Sequence, residues 1–564
     1  MDTVVVPDEA VLPESAAGVA AVASDAPDMP GAPDMPDAPD APDVEAMVVA
    51  AVNTAKRIVT SVAQQHCALA TGLVWALVML VRLYAGGAIG FADNFDGHRL
   101  LCQLGVAPHP LPVTQPLWAY TTPRYDSHTW YGEACSAGGS GQGYLSTEIV
   151  PLWAAKLLTG LFGLPGALDL RMLGIVFTAV FAAGIAWTVH ELVGPKWLRI
   201  LIASGIGLAT CDSAIAPYFN SPFSEPAALI GMLLLIPALL RLLSQARYRG
   251  ADILVVTVLT AWTIGAKTQM ASLLIVVVPI LLMRPSASRD RLAAAGNRVG
   301  SALAARGPAV AACAVLSFGT LSFQQVQPRW FHEIVVYDAV FRELLGHSPN
   351  PKADLRALGL DESLASAAGT SIVDPKSAAN LPDYPQFVAK ASLGKVVGFY
   401  AGHPVRLLGV ADRGLVGVTA TRPSYLGNYP ITAGKPPYAQ ECRVCVSSAV
   451  FTLAEPFRWV VIPGLWGAGL VGGVFLFRRR TLSVAARGVG VTLAAFAAAT
   501  VAQFWAVMLS EGESDLEKHM VFVLYGTMLL GPLLLAGLAA LDSTAVDNTA
   551  VDSTAVDPET GETR

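Results

Sequence analysis

An all-α polytopic membrane protein of about ten transmembrane helices is the fold class that the sequence predicts. Three observations predict it. Hydrophobic residues make up 53% of the 564 and charged residues 14%, whereas soluble domains run nearer about a quarter charged. The apolar residues gather in blocks comparable to the roughly 20 helical residues that cross a hydrocarbon core of about 30 Å. Lysine and arginine fall in alternate connections between those blocks, as in loops retained on the cytoplasmic side.

Residues 1–50 are rich in Ala, Pro and Asp, with the near-tripeptide repeat APDMPGAPDMPDAPDAPD. Such a segment buries too little apolar surface to offset its chain entropy and reads as a disordered, acidic cytoplasmic tail. It lacks the basic start and short apolar core of a cleavable signal peptide. Residues 542–564 repeat a five-residue unit and read as a second disordered cytoplasmic tail. The formal net charge of −6 arises in these tails. Between them, bases outnumber acids by about 10, so the acidic pI says little about partners.

The apolar blocks lie near 67–91, 172–191, 198–216, 226–244, 252–266, 269–283, 308–326, 458–477, 488–510 and 519–541. Lys56 and Arg57 precede the first. Lys196 and Arg199, then Arg241, Arg247 and Arg249, then Arg284, Arg289, Arg291, Arg298 and Arg306, then Arg478, Arg479 and Arg480 follow at every second connection. This distribution predicts cytoplasmic termini and a multi-pass protein of the plasma membrane. The chain then divides into a tail (1–50), an N-terminal transmembrane module (51–326, with outer loop 92–171), an outer loop or small cap (327–457), C-terminal transmembrane helices (458–541) and a second tail (542–564).

The first and fourth outer segments, 92–171 and 327–457, are too long to be simple connections. Within the first, 146–162 has helical periodicity and ends at Gly163, Pro165 and Gly166. It is expected to lie in the membrane interface, because a further span there would invert the basic pattern. Cys102, Cys135, Cys442 and Cys445 fall in these two segments, permitting one disulfide within each. Cys442-Arg-Val-Cys445 reads as a loop staple rather than half of a zinc site.

Four polar clusters fall on the outer side. FADNFDGHR (91–99) follows the first block, with Asp93 and Asp96 three residues apart and Arg99 three further on. On a helix that spacing puts all three on one face. A carboxylate beside a guanidinium serves as a base next to a phosphate-binding cation, or as a hydrated helix cap. APYFNSPFSEP (216–226) offers Asn220, Ser221, Ser224 and Glu225 for sugar hydroxyls and Tyr218, Phe219 and Phe223 for stacking; its alternative is an aromatic belt at the membrane interface. Lys267 and Gln269 interrupt an apolar run, so Lys267 either snorkels or faces an anionic ligand such as a lipid phosphate. EGESDLEKH (511–519) concentrates Asp515, Glu517, Lys518 and His519 before the last block. It is a solvated charge run or a phosphate and proton site. YLGNY (425–429) and His403-Pro404 read as structure of the outer segment. Walker A, HExxH, and GxGxxG or GxSxG patterns in the right setting do not occur, which argues against an NTPase, a zinc protease or a nucleotide-cofactor enzyme.

The arrangement resembles the GT-C glycosyltransferases, integral membrane enzymes that use polyprenyl-phosphate-linked sugars. Their essential acid lies just past the first span, matched here by Asp93 and Asp96, in a loop that carries interfacial helices, matched by 146–162. More narrowly, the chain looks like bacterial, often actinobacterial, proteins with a DNxDxxR-like opening (Asp93 to Arg99), an FNSxxSE element (Phe219 to Glu225), a KTQ element (Lys267 to Gln269) and a late DLxKH element (Asp515 to His519). Those proteins often have Gly where this chain has Phe95.

The resemblance covers about residues 67–541 and implies transfer from a polyprenyl-phosphate sugar to a glycan, lipid or protein acceptor. It implies Asp96 or Asp93 as the base. Arg99, Lys267, Lys518 and His519 would hold the donor phosphate, and Glu225, Asn220 and Gln269 the sugar or acceptor. A divalent cation, Mg2+ or Mn2+, is the one cofactor that this chemistry admits. Membrane lipids are expected partners and nucleic acid is not. The competing classes are a lipid-linked oligosaccharide flippase, ligase or polymerase, another multi-span transporter, and a non-catalytic scaffold. A transporter calls for polar residues near the bilayer midplane and often for internal repeats; the notable charges here cluster at the outer edge.

Overall fold

The computed structural model describes residues 65–93, 96–109, 119–130, 144–284 and 298–552, with 298–305 and 543–552 as backbone only. The tail 1–50, Lys56, Arg57, Asn94, Phe95, Arg289, Arg291 and Cys135 lie outside the described residues.

Outside residues 327–457, eleven helices of ten residues or more organise the described chain. They are α1 (Gln65–Tyr84), α2 (Ile149–Leu161), α3 (Leu170–Glu191), α4 (Lys196–Cys211), α5 (Glu225–Leu243), α6 (Gly250–Ala266), α7 (Leu274–Met283), α8 (Arg298–Val326), α9 (Arg458–Arg478), α10 (Val484–Ser510) and α11 (Val521–Asp552). Among the described residues, seven helices are long and apolar enough to cross a membrane: α1, α3, α5, α8, α9, α10 and α11. The chain is a multi-pass membrane protein.

Three of the expected ten spans are shorter helices. α4 stops at Cys211 because Asp212 turns extended and its carboxylate accepts from the Ala214, Ser447 and Ser448 amides. α6 and α7 are parted by an extended Lys267 and a 3-10 turn, Thr268–Leu273. The first span ends at Tyr84 rather than 91, because Gly86 and Gly87 both take positive φ (72° and 106°).

α5 is the central helix, almost wholly buried, and packs against α3, α6 and α10. Small residues permit the closest helix crossings. A Cβ on Gly473 of α9 would lie 2.5 Å from the Gly490 oxygen of α10. Among the described residues, the basic connections α3–α4, α5–α6, α7–α8 and α9–α10 meet at one end of the bundle. There Arg241 Nε lies 2.8 Å from Asp252 Oδ1, and Arg284 donates to the Leu243 carbonyl at 2.8 Å.

The opposite end carries the long loops, and the little sheet of this mostly helical chain lies there. β1 (Gly90–Phe91) pairs antiparallel with β5 (Leu426–Asn428), and β2 (Val106–Pro108), β3 (Arg124–Ser127) and β4 (Leu168–Asp169) form a second antiparallel sheet. α2 buries Leu152, Ala155 and Thr159 while Val150, Trp153, Leu157 and Leu161 stay exposed. An apolar outer face on a short helix suits the expected interfacial position. Residues 327–457 form short helices, beginning with Arg329–Tyr337 and a π-helical Asp338–Leu345.

One ion-pair network fastens the loop around 441 to the first helix. Arg82, buried in α1, pairs with the buried Glu441 and donates to the Cys211 carbonyl and Ser213 Oγ, both at 3.0 Å. Arg422 adds a second guanidinium 3.1 Å from Glu441, and Arg443 donates to the Arg82 carbonyl at 2.8 Å. The Cys442–Cys445 disulfide closes the same loop, as its spacing predicts, and Cys102 is also disulfide-bonded. Glu441→Gln would strand Arg82 without its counter-charge, at a cost of about 3–5 kcal/mol. Denaturation of the detergent-purified protein should show an earlier transition; an unchanged midpoint would remove this pair from the supports of the fold.

Candidate functional site

Strand pairing brings the first cluster to the bundle. β5 holds β1, and the Ala92 amide donates to the Tyr425 carbonyl at 2.9 Å, so the chain runs extended into Asp93. Asp93 is buried, and Tyr125 Oη of β3 donates to its Oδ2 at 3.3 Å. A turn follows at Asp96 and Gly97, and a short helix begins only at His98. Gly97 presses on Pro222, where a Cβ would approach Cγ to 2.5 Å. Asp93 and Asp96 therefore do not share a helical face as expected. Asp93 faces the core, and Asp96 faces a cavity.

That cavity has a volume of about 1210 Å3, somewhat larger than the roughly 300–1,000 Å3 of typical ligand sites. Asp96 meets the Lys518 ammonium there, and Arg99 Nη1 lies 3.6 Å from Asp96 Oδ1. The Arg99 guanidinium also sits over the rings of Trp330 and Phe331, at 4.9 and 4.8 Å. Lys518 lies 4.4 Å from the Phe223 ring centre and 3.7 Å from Asp515 Oδ2. Burial by itself pulls the Lys518 ammonium down to about 7; the carboxylate of Asp96 opposes that shift by favouring the charged form.

Glu225 opens α5 and is buried, and Lys267 Nζ pairs with its Oε1. The break between α6 and α7 thus delivers an ammonium to a buried carboxylate, which replaces the snorkelling alternative. Glu148, also buried, supports the same helix end by accepting from the Ala227 amide at 2.8 Å. Burial raises the Glu148 carboxyl well above the usual range, and the nearby Glu225 adds to the rise. Gln269 donates to the His519 carbonyl at 3.2 Å, while His519 Nδ1 faces Glu511. For Glu511, burial acts upward, but His519 and Lys267 outweigh it and hold the carboxyl below its ordinary value. Asp515 adopts a left-handed φ of 44° and accepts from Tyr425 Oη at 2.7 Å; burial raises its carboxyl.

Every predicted site residue lines this cavity except Asp93 and Asn220. Asn220 is buried, donates to the Ile89 carbonyl at 2.8 Å and accepts from Tyr84 Oη at 3.3 Å. It fixes the chain leading into β1 and, unlike the other expected sugar-binding residues, does not line the cavity. Tyr218 and Phe219 are core residues rather than stacking surfaces, because Ala216–Asn220 folds as a wholly buried 3-10 helix. Sequence reasoning missed Glu511, Tyr425, Trp330, Phe331 and Asp338, all of which line the cavity or bond to a residue that does. Asp338 opens the π-helix, a form enriched at functional sites. Burial raises its carboxyl to about 6, with Ser514 opposing. A single acid in the apolar run IVVYDAVF (334–341) is its sign in the sequence.

The family model described as YfdI N-terminal transmembrane domain matches residues 53–542, and the chain belongs to that family. No curated protein and no solved structure matches it.

Asp96→Asn should release Lys518 from its counter-charge and leave the downward pull of burial unopposed. More of the neutral amine would then exist near pH 7–8, and pulsed acylation read by mass spectrometry should modify Lys518 faster than in the parent protein. An equal or slower rate would contradict the pairing.

Proposed function

We propose that this YfdI-type membrane protein transfers a sugar from a polyprenyl-phosphate donor to a cell-envelope acceptor, in the cavity that holds Asp96. The observation that carries this reading is the convergence of Asp96, Arg99, Glu225, Lys267, Gln269, Lys518 and His519, from distant parts of the chain, on one large cavity at one bundle end. Carboxylate, guanidinium, ammonium and imidazole groups line it together with aromatic rings. That is the equipment for a reaction that takes a proton at one atom and releases an anion at another.

Asp96 is the base. It accepts the proton of an acceptor hydroxyl as that oxygen bonds to the anomeric carbon, while the bond from that carbon to the phosphate oxygen breaks. The lipid phosphate leaves with the bonding electrons and meets Lys518, Arg99, Lys267 and His519. Lys518 pairs with Asp96 in the structure, so a phosphate drawing the ammonium toward itself frees the carboxylate as base. Asp93 positions the turn through Tyr125. A single base acting on the face opposite the leaving group gives inversion.

Mg2+ or Mn2+ fits this cavity poorly. Among the described residues, no three His, Cys, Asp or Glu donors in this cavity lie within 4.8 Å of one another. The proposed step therefore runs on protein cations alone.

The described basic connections lie at the other end of the bundle, which supports an extracytoplasmic cavity at the plasma membrane and cytoplasmic termini. A flippase or other transporter is the weaker reading, because these charges lie at helix ends.

Asp96→Asn should reduce transfer by about 10^2–10^4-fold, the range for loss of a general base, in protein that still reaches the membrane. Envelope glycans from a deletion strain and its complemented strains provide the readout. The missing sugar names the product, and its accumulated lipid-linked donor names the step. Normal glycan in the Asp96→Asn strain would remove Asp96 from the chemistry.

A further inference from the structure

The π-helical segment Asp338–Leu345 meets the turn that begins at Glu511, outside the cavity described above. Glu343, His347 and Glu513 come together there, their donor atoms all within 4.8 Å of one another. Glu343 and His347 come from the π-helix and the turn after it, and Glu513 follows Gly512. Gly512 has a φ of +56°, and a Cβ at that position would lie 2.5 Å from Glu343 Cβ. The lack of a side chain at Gly512 lets the two backbones approach this closely.

Arg413 orders the carboxylates. Its guanidinium binds Glu343 Oε1, and its Nε lies 3.4 Å from Glu513 Oε1. One cation thus binds one oxygen of each carboxylate. Glu513 Oε2 lies 3.0 Å from His347 Nε2. Glu343 Oε2 is buried with no hydrogen-bond partner and lies 3.0 Å from where a Gly512 Cβ would stand. Glu343 as a whole is 1% exposed. A buried carboxylate oxygen without a partner is destabilising, and water has little access to it.

The geometry points to a divalent first-row cation, of the Mn2+ or Zn2+ type, bound by Glu343 Oε2, Glu513 Oε2 and His347 Nε2, with Arg413 as the positioning residue. Two carboxylates and one imidazole are the donor set that suits such ions. His347 Nε2 and Glu513 Oε2 are hydrogen-bonded at 3.0 Å, and a small opening of that contact to about 3.4 Å would suit two ligands of a tetrahedral ion about 2.1 Å away. An outer-shell group that orients a ligating carboxylate is the usual companion of such a site. With the imidazole neutral, two carboxylates against one guanidinium leave a net negative charge for the ion to meet. The ion would clasp the 338–345 segment to the 511–519 turn, the two elements that bring Asp338, Asp515, Lys518 and His519 to the cavity. This site stands independently of the proposed transfer reaction.

The test uses the full chain purified in detergent and stripped with chelator, with Mn2+ and Zn2+ added separately. Equilibrium dialysis with elemental analysis should find one saturable ion per chain, and the unfolding midpoint should rise with ion concentration. His347→Ala and Glu513→Gln change partly exposed side chains, so both should match the parent's midpoint without metal. Each should weaken binding by at least about 10-fold and abolish the rise. A parent protein that binds neither ion saturably, or variants that bind as tightly as the parent, would overturn the site. In that case His347 and Glu513 are an ion pair beside Arg413 and Glu343, and nothing more.

Discussion

A lysine ammonium at the end of an apolar helix bundle is stable only if a carboxylate meets it, and this protein satisfies that condition twice in one cavity. Lys518 meets Asp96, and Lys267 meets Glu225. Each pair joins parts of the chain far apart in sequence, so neither forms until the bundle end is assembled. Removing one partner from such a pair exposes the other to an uncompensated desolvation cost, which makes the arrangement close to all-or-none. The same pairing keeps the cavity charged but balanced, a state in which an entering anion can exchange places with a carboxylate.

The loops do the positioning. β1 and β5 are only a few residues long, yet their pairing sets where the chain turns toward Asp96, and Tyr425 beside β5 reaches across to Asp515. Arg82 and Glu441 anchor the segment beyond β5 to the first helix. The polar groups at this end are therefore held by hydrogen-bonded backbone and by a rigid helical floor. Such a support suits a site that must keep several groups in register.

Much of the candidate site was legible in the sequence because charge is rare in an apolar chain. Lys267 between two apolar runs, the carboxylates after the first span and the cluster before the last are conspicuous against a composition with 14% charged residues. Where that contrast was absent, the reading failed. Asn220 sits in a polar-aromatic run that looks like a binding surface, but the 3-10 helix buries it against Ile89 and Tyr84. YLGNY looks like ordinary loop sequence, and only its pairing with β1 gives Tyr425 a part in the site.

The sequence by itself determined the membrane class, the positions of the apolar helices, the segregation of basic connections and the Cys442–Cys445 staple. These are local properties, set by hydropathy over one helix length or by a spacing of three residues. Only the tertiary structure separated Asp93 from Asp96, because their roles depend on where a short strand ends and a turn begins. It alone joined Lys518 to Asp96 and Glu343 to His347 and Glu513. Contacts between residues hundreds of positions apart are fixed by how helix ends and loops pack, and a pattern read over one helix length carries no information about that packing.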